Sequence, residues 1–169
     1  MTHPLVKQLY FARSEFLRCL EGLTEPDGVR RLEPMNSISW MVGHLANQEH
    51  FYWVILPQRK FLAPGLNDRV GTGKPPSTPA LAEMLAVWQT VTAGADAFLE
   101  TLDAAQLTEF QTFNGKPLRE SIGTQLQRNI YHYWFHIGEA HAVRQMLGHR
   151  DLPQFVGDMT SAVYQPETG

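Results

Sequence analysis

The sequence predicts an all-α fold, a four-helix bundle with one long crossover between its second and third helices. Four stretches place apolar residues at helical spacing, and a proline- and glycine-dense segment from Phe61 to Pro79 separates the middle two. At 169 residues, with 43% hydrophobic and 18% charged residues, the chain has the size and composition of one globular domain spanning 1–169.

The first helix runs from Pro4 to about Leu23. Leu5, Leu9, Ala12, Phe16 and Leu20 recur on one face, and Pro4 suits a first helical turn. The lone cysteine, Cys19, lies in this segment as a small core residue. It excludes an intrachain disulfide and a cysteine-based zinc site, and it fits a reducing cytosol. Glu25-Pro26-Asp27-Gly28 then forms a turn, with Val29-Arg30-Arg31-Leu32 as a short helical turn after it.

Ser37 is an N-cap for the second helix, which runs to about Leu56, where Pro57 stops it. The third helix starts at Thr78-Pro79 and ends near Asp103, with Leu81, Leu85, Trp88, Val91 or Thr92, Ala95, Leu99 and Leu102 on one face. Residues Phe110 to Lys116 alternate around Asn114-Gly115, the pattern of a small hairpin. The fourth helix extends from Ser121 to Leu147 and is closed by Gly148. In the tail, Phe155, Val156, Met159, Val163 and Tyr164 are available to pack on the bundle.

A net charge of −3 and a pI near 6.1 supply no basic stripe for nucleic acid. No apolar run approaches the roughly 20 residues of a membrane span, and Met-Thr-His-Pro does not open a signal peptide, so a cytoplasmic protein is expected.

Seven histidines carry the chemical signal. His132 and His136 stand four apart on the fourth helix, one above the other, with Cβ atoms about 5 to 6 Å apart. That spacing lets two imidazoles share one metal, and Tyr133 in place of glutamate excludes the metalloprotease motif. His44 lies mid-helix among apolar neighbours, where an unsatisfied ring is costly, and Gly43 beside it marks a close approach by another group. A third imidazole from a facing helix completes a three-ligand set with positions left for water and substrate.

Glu139, one turn after His136, is the candidate catalytic residue, as hydrogen-bond acceptor, fourth ligand or proton-transfer group. Glu49 and Gln48 are weaker candidates of the same kind. Arg128 and Asn129, one turn before His132, face the same cavity, with Arg128 placed to meet an anionic substrate. His3, His50, His141 and His149 read as structural.

Ser37-Ile38-Ser39-Trp40-Met41-Val42-Gly43-His44-Leu45-Ala46, together with the run from Tyr131 through Gly148, resembles the DinB-like superfamily of metal-binding four-helix bundles. The first segment matches the pattern W-x-x-x-H-L-A, and His132 and His136 match the family's ligands on the last helix. The resemblance implies a divalent metal (zinc, nickel or iron) held by His44, His132 and His136 with open coordination positions. Because the family includes bacillithiol transferases and mycothiol-dependent isomerases, it also implies a low-molecular-weight thiol as co-substrate. The expected activity is a metal-dependent thiol transfer or hydrolysis of a small molecule. The alternative is a non-catalytic metal-binding bundle, with the apolar surface of the first and third helices serving a homodimer.

Overall fold

A computed structural model describes residues 2–165. The fold is all-α, built on long helices that pair across the chain, with one two-stranded hairpin. Helix α1 (Pro4–Leu20) packs along the last helix, α7 (Ile122–Met146), while α3 (Ile38–Glu49) packs on both α6 (Leu81–Leu99) and α7. The core lies between them, around Phe16, Met41, Leu45, Met84, Leu126 and Ile137.

Shorter helical pieces interrupt this frame, so it is not a plain four-helix bundle. The first helix stops at Leu20, short of Leu23, because the chain turns through Gly22 at φ +71. The expected turn at Glu25-Pro26-Asp27-Gly28 is itself helical, as α2 (Glu25–Val29). Thr24 caps it, and Pro26 occupies the first turn, where a missing N–H loses no bond. The Glu25 carboxylate then accepts from the amides of Leu81 and Ala82 at 2.7 and 3.0 Å, which caps α6 and moves its start past Pro79 to Leu81. Met84, absent from the expected face, is fully buried, and Leu85 is only half-buried.

The second helix does not end at Pro57. After Glu49 the chain widens into a π-helical turn over His50–Ile55 and resumes as α4 (Leu56–Gln58), ending at Arg59 with φ 57. Pro57 is tolerated because it stands in the first turn of that renewed helix. The crossover is not wholly irregular either. It contains α5 (Leu66–Val70), whose Leu66 and Val70 bury themselves against α3.

The hairpin forms as read: β1 (Thr112–Phe113) pairs antiparallel with β2 (Lys116–Pro117), and Asn114 and Gly115 take φ values of 49 and 74. The tail departs from expectation. Val156, Met159, Val163 and Tyr164 are exposed, whereas Phe155 packs beneath the Arg18 guanidinium and Ala162 is buried. Polar contacts hold this segment: Arg18 donates to the Gln154 carbonyl and the Gly157 amide donates to Glu15. The inner apolar faces of α1 and α6 contribute to the core. Among the described residues, no helix is long and apolar enough to cross a membrane.

A buried polar network crosses the core. The Arg13 guanidinium clasps both oxygens of Glu49 and donates to Asp96 at 2.6 Å; Tyr133 donates to Glu49 at 2.6 Å and accepts from the Trp88 indole at 2.7 Å. Glu49 is fully buried, which removes it from the candidate site residues. Replacing it by leucine leaves the buried Arg13 charge with the half-exposed Asp96 as its remaining partner and takes the acceptor from the buried Tyr133 hydroxyl, so Glu49→Leu is expected to cost about 3–5 kcal/mol in urea denaturation.

Candidate metal centre

Ser37 starts α3 by accepting from the Trp40 amide, and this register sets Trp40 and His44 on one face. Their rings stack at a centroid separation of 4.3 Å. The glycine beside His44 is required by what lies against it: a Cβ on Gly43 would stand 2.5 Å from the Met84 sulfur and 3.2 Å from Val70. That close approach brings the Val70 carbonyl within 2.7 Å of His44 Nδ1. A carbonyl only accepts, so Nδ1 carries the proton and Nε2 carries the lone pair.

On α7, capped by Ser121, the i, i+4 spacing places His132 and His136 together as expected. His132 Nδ1 lies 2.9 Å from Gln48 Oε1, and His136 Nδ1 lies 2.7 Å from Glu139 Oε2. Their Nε2 atoms stand 3.0 Å apart. His44 completes the group, with ring centroids 4.9 Å from His132 and 5.4 Å from His136. One nitrogen from each of the three rings lies within 4.8 Å of the others, a group able to hold a metal ion.

The donor chemistry fits a cation. Every Nδ1 faces an oxygen acceptor, and with each proton held there the free lone pairs converge on one another, an arrangement that is repulsive until a positive charge sits among them. Nitrogen donors of this kind suit zinc, nickel and iron rather than calcium or magnesium.

A cavity of about 980 Å³ opens on the His44 and His132 side. Phe51, Tyr52, Tyr131 and Phe135 give it aromatic walls; Asn47 and Gln127 give it neutral hydrogen-bonding groups. His136 is buried behind it.

Several expectations change in detail. Glu139 lies on the Nδ1 side of His136, opposite the converging nitrogens. Arg128 lines the cavity, but its Nε and Nη2 are engaged by the two oxygens of Glu120, whose charge offsets its pull on an anion. Asn129 is fully buried and touches Gln48 and Trp53 instead of the cavity. His50 accepts from the Leu62 amide at 3.0 Å, His149 bonds Arg144 and Asp27, and His3 caps α1, all structural. Sequence reasoning missed the Val70 carbonyl, because a backbone group leaves no trace in residue type; Gly43 was the one signal of its approach.

Burial is the largest influence on the two half-buried rings. It pushes His44 below the ordinary imidazole value and, joined by the neighbouring His136 and His44, takes His132 down to about 3. Unfolded histidines titrate near 6.5, so below that pH the unfolded chain takes up protons that the folded rings refuse. The stability of the metal-free protein should therefore be complete above about pH 6.5 and decline as pH falls toward about 3. Urea midpoints measured at pH 7 and pH 5 check this, with His132→Asn giving a shallower decline.

No curated protein matches the chain significantly. A family model described as the DinB superfamily matches residues 8–140, a span that holds His44, His132 and His136, the close approach of Val70 and Met84 to Gly43, and Glu139. The chain belongs to the DinB superfamily.

Proposed function

We propose that His44, His132 and His136 hold a divalent cation (zinc, nickel or iron) and that the protein is a metal-dependent enzyme, a thiol S-transferase or hydrolase acting on a small molecule. The observation that carries this reading is the convergence of three lone-pair nitrogens, each fixed from behind, at the wall of a cavity of about 980 Å³. Bound there, such a cation supplies Lewis acidity, lowering the pKa of a low-molecular-weight thiol or a water so that it serves as nucleophile near neutral pH.

The chain's own residues do the rest. Val70, Gln48 and Glu139 hold the rings in one tautomer and orientation, which makes Glu139 a positioning residue for His136 rather than a proton carrier. Trp40 covers one face of His44 and limits its rotation. The aromatic walls exclude water from an apolar part of the substrate, and Asn47, Asn67 and Gln127 offer neutral hydrogen bonds to its polar part. With Arg128 neutralised by Glu120, the cavity suits a substrate of little net charge. In this reading residues 1–169 form one domain working in the cytoplasm.

The non-catalytic alternative needs a fourth protein ligand to close the site, and the group formed by the described residues has three. Metal analysis should find about one ion per chain, reduced to background in the triple variant His44→Ala/His132→Ala/His136→Ala. Transfer assays pairing several thiols with uncharged electrophiles should lose activity on chelation and regain it with added zinc or nickel. Unchanged metal content in the triple variant, or activity indifferent to chelator, overturns the proposal.

A further inference from the structure

We propose that Trp53, Asn129 and Gln48 form a positioning relay that dictates the tautomer of His132, so that the buried indole determines which nitrogen the ring presents to the site. The inference deepens the metal reading and rests on it for its functional meaning, although the tautomer can be observed without metal.

Each link follows from what its atoms can do. Trp53 is fully buried, and its indole N–H has no acceptor capacity; it donates to Asn129 Oδ1 at 2.7 Å. That bond fixes the Asn129 amide, which is also fully buried, with its nitrogen turned away from Trp53. Asn129 Nδ2 donates to Gln48 Oε1 at 2.9 Å, so the Gln48 amide is fixed in turn with its oxygen inward. The same oxygen lies 2.9 Å from His132 Nδ1 and has a second lone pair to offer. Nδ1 must therefore donate. His132 is left with an unprotonated Nε2, the atom that faces His136.

In the opposite tautomer a ring lone pair would face the Gln48 oxygen; a Gln48 flip to relieve it would set its NH2 against Asn129 Nδ2, and flipping Asn129 as well would break the Trp53 bond. His44 and His136 reach the same state in one step each, through a carbonyl and a carboxylate that are acceptors already. An amide is ambiguous, and only the chain back to a donor-only group removes the ambiguity.

The π-helical turn at His50–Ile55 makes the relay possible. In continuous α-helix, Trp53 would be rotated roughly 140° from Gln48, five residues earlier. The wider i→i+5 winding brings the indole back far enough for both side chains to meet the one asparagine on α7. A π-helical turn at this point of the fold thereby acquires a role.

The test uses the full chain stripped of metal, with the histidine tautomers read by long-range nitrogen–proton NMR and zinc affinity read separately by calorimetry. Wild-type protein and Gln48→Glu, which keeps an acceptor at the position, should both show His132 protonated at Nδ1. Gln48→Leu, at a half-buried site whose fold is verified by circular dichroism, and Trp53→Phe should both show mixed tautomers and zinc binding weaker by about 10- to 100-fold. Wild-type His132 protonated at Nε2, or a Gln48→Leu protein with unchanged tautomer and unchanged affinity, overturns the relay. Wild-type protein that holds His132 in the Nδ1–H form yet binds none of zinc, nickel and ferrous iron supports the relay and defeats the metal reading, which keeps the two failures apart.

Discussion

The 3.0 Å approach of His132 Nε2 to His136 Nε2 is the constraint around which the rest of the molecule is arranged. With both rings neutral and their Nδ1 protons donated to Gln48 and Glu139, the two facing nitrogens have only lone pairs to offer each other, and His44 brings a third. Such a contact raises the energy of the folded chain unless a cation occupies it, so the surrounding structure must hold it against repulsion. It does so from behind the rings, through acceptors that would have to be abandoned before any imidazole could rotate away.

The same two helices are locked by a second, quite different device one residue along. Glu49 follows Gln48, and Tyr133 follows His132; the first members of these pairs in the core are joined to each other and to Arg13, while their neighbours serve the site. On a helix, adjacent residues point about 100° apart, so a rotation that disturbed the buried network would also turn the histidines out of alignment. A fully enclosed ion pair contributes little net stability compared with an apolar substitute, but it is intolerant of misregister. Here that intolerance sets the rotation of α3 against α7, and the histidine group inherits it.

Much of this was legible in the residues. The four long helices, the cap at Ser37, the start of the last helix at Ser121, the Asn114-Gly115 hairpin and the His132/His136 pair follow from periodicity and from side chains whose preferences are strong and local. Gly43 announced a close approach, and Val70 makes it. What escaped was decided by tertiary contacts. Helix α6 begins at Leu81 because a carboxylate from α2 caps it, not because of Pro79. The tail is anchored through backbone polar groups, so its exposed apolar residues misled. The π-helical turn has no compositional signature: His50-Phe51-Tyr52-Trp53-Val54-Ile55 reads equally as α-helix, and only Pro57, wrongly taken as a terminus, hinted at irregularity.

Burial of the site has a chemical consequence as well as a geometric one. A surface histidine cluster near pH 6.5 would exchange a cation for protons readily, since three rings would compete for both. Enclosure reverses this by penalising the charged imidazole, which is why His132 is pushed down to about 3 and His44 moves the same way. His44 and His132 are thereby held toward the neutral form that coordination would require, at a cost taken from folding stability. His136 is enclosed further by the Glu139 carboxylate, while the cavity leaves the His44 and His132 side open to small molecules. Rigidity is thus concentrated on the Nδ1 side of the three rings and access on the other, the division of labour expected where a held ion must still be reached by a substrate.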